Sequence, residues 1–255
     1  MVTGYEFGWE LNLLGYWQLR LNGQPQEVGS RQQRLLSALA LVGSRSRAFL
    51  ADLLWPDSPE SQAAGNLRAS VFRVSHQLPH LIQASPGSLA LNPQVAVDVH
   101  RVRALMREIE VGGTPSSMPI DAIDCLRRAD LLPGWYEDWV IFEQERLRQQ
   151  RIDSLENLAR RCLARGDITS AKDAAAAAIA IEPLRESAHL LLVRSHLAEG
   201  NQASATRVYH ELRDRLRLEL NISPGHAFTQ LLDVGTSFGW PASASRSGAR
   251  ARGAP

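Results

Sequence analysis

Several residues and patterns are scarce in this chain of 255 residues, and each scarcity excludes a class of protein. The two cysteines, Cys125 and Cys162, stand apart without CxxC spacing, which argues against a disulfide framework or a zinc site and predicts two buried thiols. No run of apolar residues is long enough to span a bilayer, and the N-terminus lacks a basic segment followed by an apolar one. We therefore expect a cytoplasmic protein without a membrane partner.

Catalytic motifs are also missing. The sequence contains no GxxxxGK, GxSxG, HExxH or GxGxxG motif, so we predict that the protein is not an enzyme and binds no cofactor. His189, His196 and His210 fall on predicted helices without metal-ligand partners at matching spacing, and we interpret them as surface histidines. No metal site is predicted.

Positive charge is not in excess where a nucleic-acid binder would need it. Residues 1–100 hold seven Arg and seven Asp or Glu, residues 101–235 hold 18 basic and 20 acidic residues, and the remaining tail adds three Arg. Because DNA-binding domains usually carry a clear basic excess, this balance counts against strong DNA affinity. Of the 28 basic residues, Lys172 alone is lysine.

Residues 58–78 are the stretch around which the rest of the chain is organised. They predict a helix with Ser58 as N-cap and Pro59 at the first helical position, ending before Pro79. The helix has two interpretations, a recognition helix that reads DNA bases or an ordinary surface helix. Its predicted buried stripe is Leu67, Val71, Val74 and Leu78, and its predicted polar stripe is Asn66, Ser70, Arg73 and Gln77, with Arg68, Phe72 and His76 further around.

The order of predicted elements in the first hundred residues is that of a winged helix with an N-terminal sheet, which would place the third helix in the major groove. Asn22-Gly23 predicts a hairpin turn, and Pro86-Gly87 predicts a type II turn that closes the wing. The predicted elements are strands in residues 11–21 and 26–28, a helix at 31–42 capped by Ser30, a helix at 47–55, the helix at 58–78, a hairpin at 81–91 and a strand at 95–99.

The rest of the chain predicts an all-helical module. A shift of 34 residues superposes Gly166 on Gly200 and Ala171 on Ala205, and 34 residues is the tetratricopeptide period. The aromatic loop at 131–139 is either a ligand or partner surface or a hydrophobic plug between two layers. Predicted helices cover 99–110, 117–129, 139–165, 168–181, 184–199 and 202–220, with a break at 112–115 and a disordered tail at 236–255.

At this point the residues carry a resemblance. LLGYWQLRLNG, RQQRLLSALAL and LADLLWPDSPESQAAGNLRASVFRV are similar to the DNA-binding half of the Streptomyces antibiotic regulatory protein family, an OmpR-type winged helix. LLPGWYEDWVIFEQERLRQQRIDSLENLARRCLARGD and the stretch from AIEPLRESAHLL to NISP are similar to the bacterial transcriptional activator domain that follows it in that family. The implied architecture is mainly α with small β elements: a winged-helix domain at 1–100, then an all-α tetratricopeptide-like repeat domain at 101–235.

The resemblance implies a transcriptional activator that binds direct repeats in promoter DNA as side-by-side protomers and recruits RNA polymerase through its sigma factor. A nucleotide-binding domain, which some family members carry, is not expected here. The alternative is a protein-interaction scaffold that keeps the winged fold and has lost most DNA affinity. The candidate base-contacting residues are Asn66, Ser70, Arg73 and Gln77, and Arg31, Arg45, Arg47 and Arg68 are expected to meet phosphates or hold the helix. His76 is a further DNA-binding candidate, toward either bases or phosphates.

The chain departs from the family pattern where DNA would lie. Ser75 stands where members usually carry a basic residue, and Leu89 and Ala90 occupy wing positions that usually hold an aromatic residue and an Arg. Fewer phosphates would be neutralised, so we expect weaker binding with a shallower salt dependence. Phe72 stands where a small polar residue is common, and three placements stay open for it: against a thymine methyl, against a protein partner, or under the wing.

Overall fold

The computed structural model describes residues 8–111, 119–228, 230 and 231. Its N-terminal sheet has the strand order β3-β2-β1-β7, formed by β1 (Trp9–Asn12), β2 (Gln18–Leu21), β3 (Gln24–Gln26) and β7 (Ala96–Val97). Asn22 and Gly23 both have positive φ, at 50° and 78°, and join β2 to β3 as a two-residue hairpin. This turn confirms the prediction, although the edge strand begins two residues earlier than expected.

Three helices and a second sheet complete the winged helix. The helices are α1 (Ser30–Val42), α2 (Arg47–Leu54) and α3 (Glu60–Gln77). The second sheet has the order β4-β6-β5, in which β5 (Ile82–Ala84) and β6 (Ser88–Leu91) form the wing hairpin and β4 (Arg45–Ser46) pairs with β6. The fold class predicted from the sequence is confirmed in this half.

The helix ends correct two predicted caps. Gly29, not Ser30, is the N-cap of α1, and Pro59, not Ser58, is the N-cap of α3; neither helix has a side-chain cap hydrogen bond. The capping side chain in this region belongs to Ser46, whose hydroxyl accepts from the Phe49 amide at 3.2 Å and so starts α2. The prediction of a type II turn in the wing is also wrong. Such a turn needs a positive φ at Gly87, and Gly87 does not have one.

The helical module shows the predicted 34-residue repeat, and the repeat extends to the residues that cap its helices. Gly166 and Gly200 both have a φ of 77°, and the residues that follow them, Asp167 and Asn201, each accept a hydrogen bond from the amide three positions on. The same N-cap thus recurs after 34 residues. The helices are α4 (Asp98–Glu110), α5 (Pro119–Arg127), α6 (Asp138–Ala164), α7 (Ile168–Ile181), α8 (Glu186–Ala198) and α9 (Gln202–Leu220).

Three side chains of this module lie where the sequence did not place them. His189 is only 6% exposed and its Nδ1 lies 3.0 Å from the Arg185 carbonyl, so it is not a surface histidine. Phe142, predicted on the apolar side of α6, is 69% exposed. Cys162 is buried as expected, whereas Cys125 is exposed. The predicted break at 112–115 and the tail at 236–255 lie outside the described residues.

One hydrophobic core runs from the N-terminal sheet into the helical module, from Trp9 through Leu191. The carboxylate of Asp98, at the start of α4, accepts from the amides of Leu13 and Leu14 at the end of β1. Because α4 also packs on α6, this contact fastens the module to the sheet. Within the described part of the chain, no helix is long and apolar enough to cross a bilayer.

Candidate nucleic-acid interface

The faces of α3 are set by how it packs, and they differ from the predicted ones. The buried side is formed by Ala63, Leu67, Ser70 and Val74. Ser70 is 2% exposed, so its hydroxyl is not available on the surface and it is withdrawn as a base-contacting residue. Successive residues of a helix are rotated by about 100° around its axis. On this basis the predicted polar stripe lies next to the buried side, and the residues at the outward centre of the helix lie about 170° around the axis from the buried side.

The outward centre of α3 carries Gly65, Ala69, Phe72 and His76. Phe72 is 68% exposed, and its ring stacks on His76 with centroids 5.6 Å apart and planes 11° apart. Phe72 therefore does not lie under the wing, which removes one of its three predicted placements. A Cβ at Gly65 would meet no atom within 4 Å, so there is free space beside this half-buried position of the helix.

Arg68 and Arg73 flank this centre, each about 70° around the helix to one side or the other. Both are exposed, as are His76 and Gln77, while Asn66 is half-buried. The structure thus brings Arg68, Arg73 and His76 together on one outward surface and leaves Asn66 and Gln77 at its edge. We call the surface formed by Gly65, Arg68, Ala69, Phe72, Arg73 and His76 the α3 face.

Three further candidate arginines lie on neighbouring elements. Arg31 is exposed in the first turn of α1, and Arg47 is half-buried in the first turn of α2. Arg45 is exposed in β4, where its guanidinium lies 5.7 Å from the centre of the Phe49 ring and donates to the Ser44 carbonyl. β4 pairs with the wing strand β6, so Arg45 is placed beside the hairpin.

These arginines have no carboxylate partner among the described residues, in contrast with those of the helical module. The ion pairs there include Arg148 with Glu145 and Glu182, and Arg185 with Asp153 and Glu156. Within residues 8–97, Arg34 is the arginine that makes an ion pair, with Glu137 at 3.1 Å. The five candidate arginines, Arg31, Arg45, Arg47, Arg68 and Arg73, therefore carry charge that the described structure does not neutralise.

The wing supplies little charge. Leu89 is fully buried and Ala90 is half-buried, so these two residues, which depart from the family pattern, pack on the inner side of the wing. No Arg or Lys occurs between Pro79 and Val97. Any grip on a phosphate backbone would thus come from α1, α2, β4 and α3.

The aromatic loop holds the winged helix against the helical module. Leu132 is fully buried and its amide donates to the Leu13 carbonyl at 2.8 Å, while the Gly15 amide donates to the Asp130 carbonyl at 2.7 Å. Arg34 connects both halves, since it donates to the Leu54 carbonyl at the end of α2 and pairs with Glu137. These contacts agree with the interpretation of the loop as a hydrophobic plug between two layers. Tyr136 in the same loop is nevertheless largely exposed.

No cluster of three or more His, Cys, Asp or Glu side chains is arranged to hold a metal ion in the ranges that the structure describes. The arrangement offers exposed guanidinium groups, one stacked aromatic pair and free space beside Gly65.

The fold and the α3 face define a winged helix followed by a helical-repeat module. Residues 120–233, which include α5 to α9 apart from the first residue of α5, match the family model described as bacterial transcriptional activator domain, and this confirms the resemblance of the helical half. The solved structure of Mycobacterium tuberculosis EmbR in complex with a low-affinity phosphopeptide has the same fold, with a TM-score of 0.70 over 91% of this chain and 18% sequence identity. This chain spans 66% of the EmbR chain's length. No curated protein matches it.

Proposed function

We propose that this protein is a sequence-specific DNA-binding transcriptional activator. The observation that carries the proposal is the α3 face, on which Arg68 and Arg73 are exposed and have no carboxylate partner among the described residues. Winged-helix proteins place the corresponding helix in the major groove. The match of residues 120–233 to a domain of bacterial transcription activators supports it.

The contacts of the proposed complex follow from where the side chains lie. Arg73 and His76 would approach base edges, with Asn66 and Gln77 at the margin, while Arg31, Arg45, Arg47 and Arg68 would meet phosphates. Because these guanidinium groups have no carboxylate partner among the described residues, no ion pair within the described structure has to break when they bind a phosphate.

The partners extend the proposal. Direct repeats in a promoter would be occupied by side-by-side protomers, and the domain at 101–235 would contact RNA polymerase and its sigma factor while the winged helix at 1–100 holds the DNA. Such a protein would act in the cytoplasm. These assignments rest on the family resemblance together with the domain match.

Unbiased recovery of genomic fragments by the purified protein tests the function. We expect a consensus of two half-sites, spaced by about one helical turn of DNA or a multiple of it. Recovery of fragments without any shared sequence would contradict sequence-specific binding.

Two observations favour a second function, a protein-interaction scaffold. The α3 face carries an exposed Phe72 at its centre, and the wing between Pro79 and Val97 has no Arg or Lys. A scaffold would show no saturable binding to promoter DNA at low ionic strength, whereas the activator would.

A further inference from the structure

Apart from His76, the centre of the α3 face is apolar, although this surface must read polar base edges. Phe72 is 68% exposed, and its neighbours on the outward side are Ala69 and Gly65, which have small side chains or none. The charged groups, Arg68 and Arg73, stand on either side of this strip. An apolar strip between two cationic flanks fits a surface that is apolar in the middle and anionic at both edges.

The major groove of duplex DNA has that character wherever a thymine is present. Its edges are phosphates, and thymine presents a C5-methyl group, a bulky apolar group, on its floor. The missing side chain at Gly65 and the single methyl of Ala69 let the helix backbone come close to the bases, so that the Phe72 ring can reach the floor.

The ring is also held ready for such a contact. Phe72 stacks almost parallel on His76, with 5.6 Å between centroids. Stacking on the next turn limits the rotamers of Phe72 in the free protein, so less side-chain entropy is lost when the ring is buried against DNA.

We infer that Phe72 is a specificity-determining residue that selects a thymine in each half-site through its C5-methyl group, with His76 as the residue that positions the ring. The inference rests on the proposed DNA-binding function and adds to it the base type that the centre of the helix reads.

The test replaces each thymine in turn by deoxyuridine, which keeps every hydrogen-bonding group and removes only the methyl. The DNA is the tightest duplex selected from a random library by the full chain. We expect one thymine in each half-site at which loss of the methyl weakens binding about fourfold or more, the worth of one buried methyl group. Phe72→Ala should bind the thymine and deoxyuridine duplexes equally, whereas Phe72→Leu should keep part of the preference.

The chain offers a matched control in Phe142, which is 69% exposed on α6 and far from α3 in sequence. Phe142→Ala should keep the full thymine preference. His76→Ala should reduce the preference without abolishing it, because the ring remains but is less restrained.

The outcomes separate the inference from the function on which it rests. One possible result is that the parent protein binds the selected duplex and yet responds to every deoxyuridine substitution as Phe72→Ala does. That result would refute the reading of thymine by Phe72 while leaving the DNA-binding function in place. If the parent protein binds no duplex saturably, the proposed function fails and the inference fails with it. If Phe72→Ala binds every duplex like the parent, the ring contacts something other than DNA and the inference is overturned.

Discussion

Gly65 provides a prediction in which stability and function move in opposite directions. It lies inside α3, where glycine is less favourable than alanine by about 0.5–1 kcal/mol because of its backbone freedom. A Cβ at this position would meet nothing within 4 Å, so no clash offsets the gain. Gly65→Ala should therefore stabilise the protein by about 0.5–1 kcal/mol, measured from its urea unfolding midpoint.

The same substitution should weaken DNA binding if the α3 face enters a groove. The added methyl lies on the outward centre of the helix, about two turns before Phe72, and would be forced into a packed interface. Overpacking of this kind costs about 1–3 kcal/mol, or about a 5-fold to 150-fold loss of affinity.

Fluorescence anisotropy with the selected duplex measures this loss. The reverse change on the same face, Ala69→Gly, serves as the control, because it should lower stability while leaving room in the groove. A Gly65→Ala protein that is more stable and binds DNA as tightly as the parent would refute the idea that this face lies against DNA.

Three further predictions concern single side chains. Arg73→Ala should cost about 1–3 kcal/mol at the cognate site, and mobility shifts equal to the parent's would remove it from the base-reading set. Arg151 is 4% exposed and donates to the Leu126 and Arg127 carbonyls and the Asp130 carboxylate. Arg151→Met should therefore destabilise the fold by about 2–4 kcal/mol in urea unfolding, whereas Arg128→Met, at an exposed position, should not. Burial lowers the pKa of His189 below its ordinary 6.5, so the unfolded chain binds more protons than the folded chain. The stability of the fold should therefore decrease as the pH drops below 6.5. In thermal unfolding, His189→Gln should make this pH dependence weaker.

Local chemistry in the sequence was sufficient to predict most of the elements. The Asn22-Gly23 turn and the end of the first helix before Gly43 were predicted from residue types that favour one backbone conformation. The caps at Asp167 and Asn201 were not predicted, but they follow from the same kind of local chemistry. These features depend on neighbours a few positions away, which a sequence shows directly.

The faces of the helices were harder to predict because they depend on distant neighbours. Ser70 is small enough to be buried beside Leu67 and Val74, and its polarity misled the choice of the outward stripe. The signal that could have identified the α3 face was the direction opposite the apolar stripe, which points to Phe72 and His76. His189 is likewise buried by a packing arrangement that its own helix does not reveal.

The salt dependence of DNA affinity tests the central claim, that arginines with no carboxylate partner in the described part of the chain bind the DNA backbone around α3. With about 0.9 of log–log slope per neutralised phosphate, the four arginines assigned to phosphates, Arg31, Arg45, Arg47 and Arg68, predict a slope near −3.6 at most, and Arg68→Ala should reduce its magnitude by about 1. A parent protein with no saturable binding at low salt, or a slope unchanged in Arg68→Ala, would contradict the account.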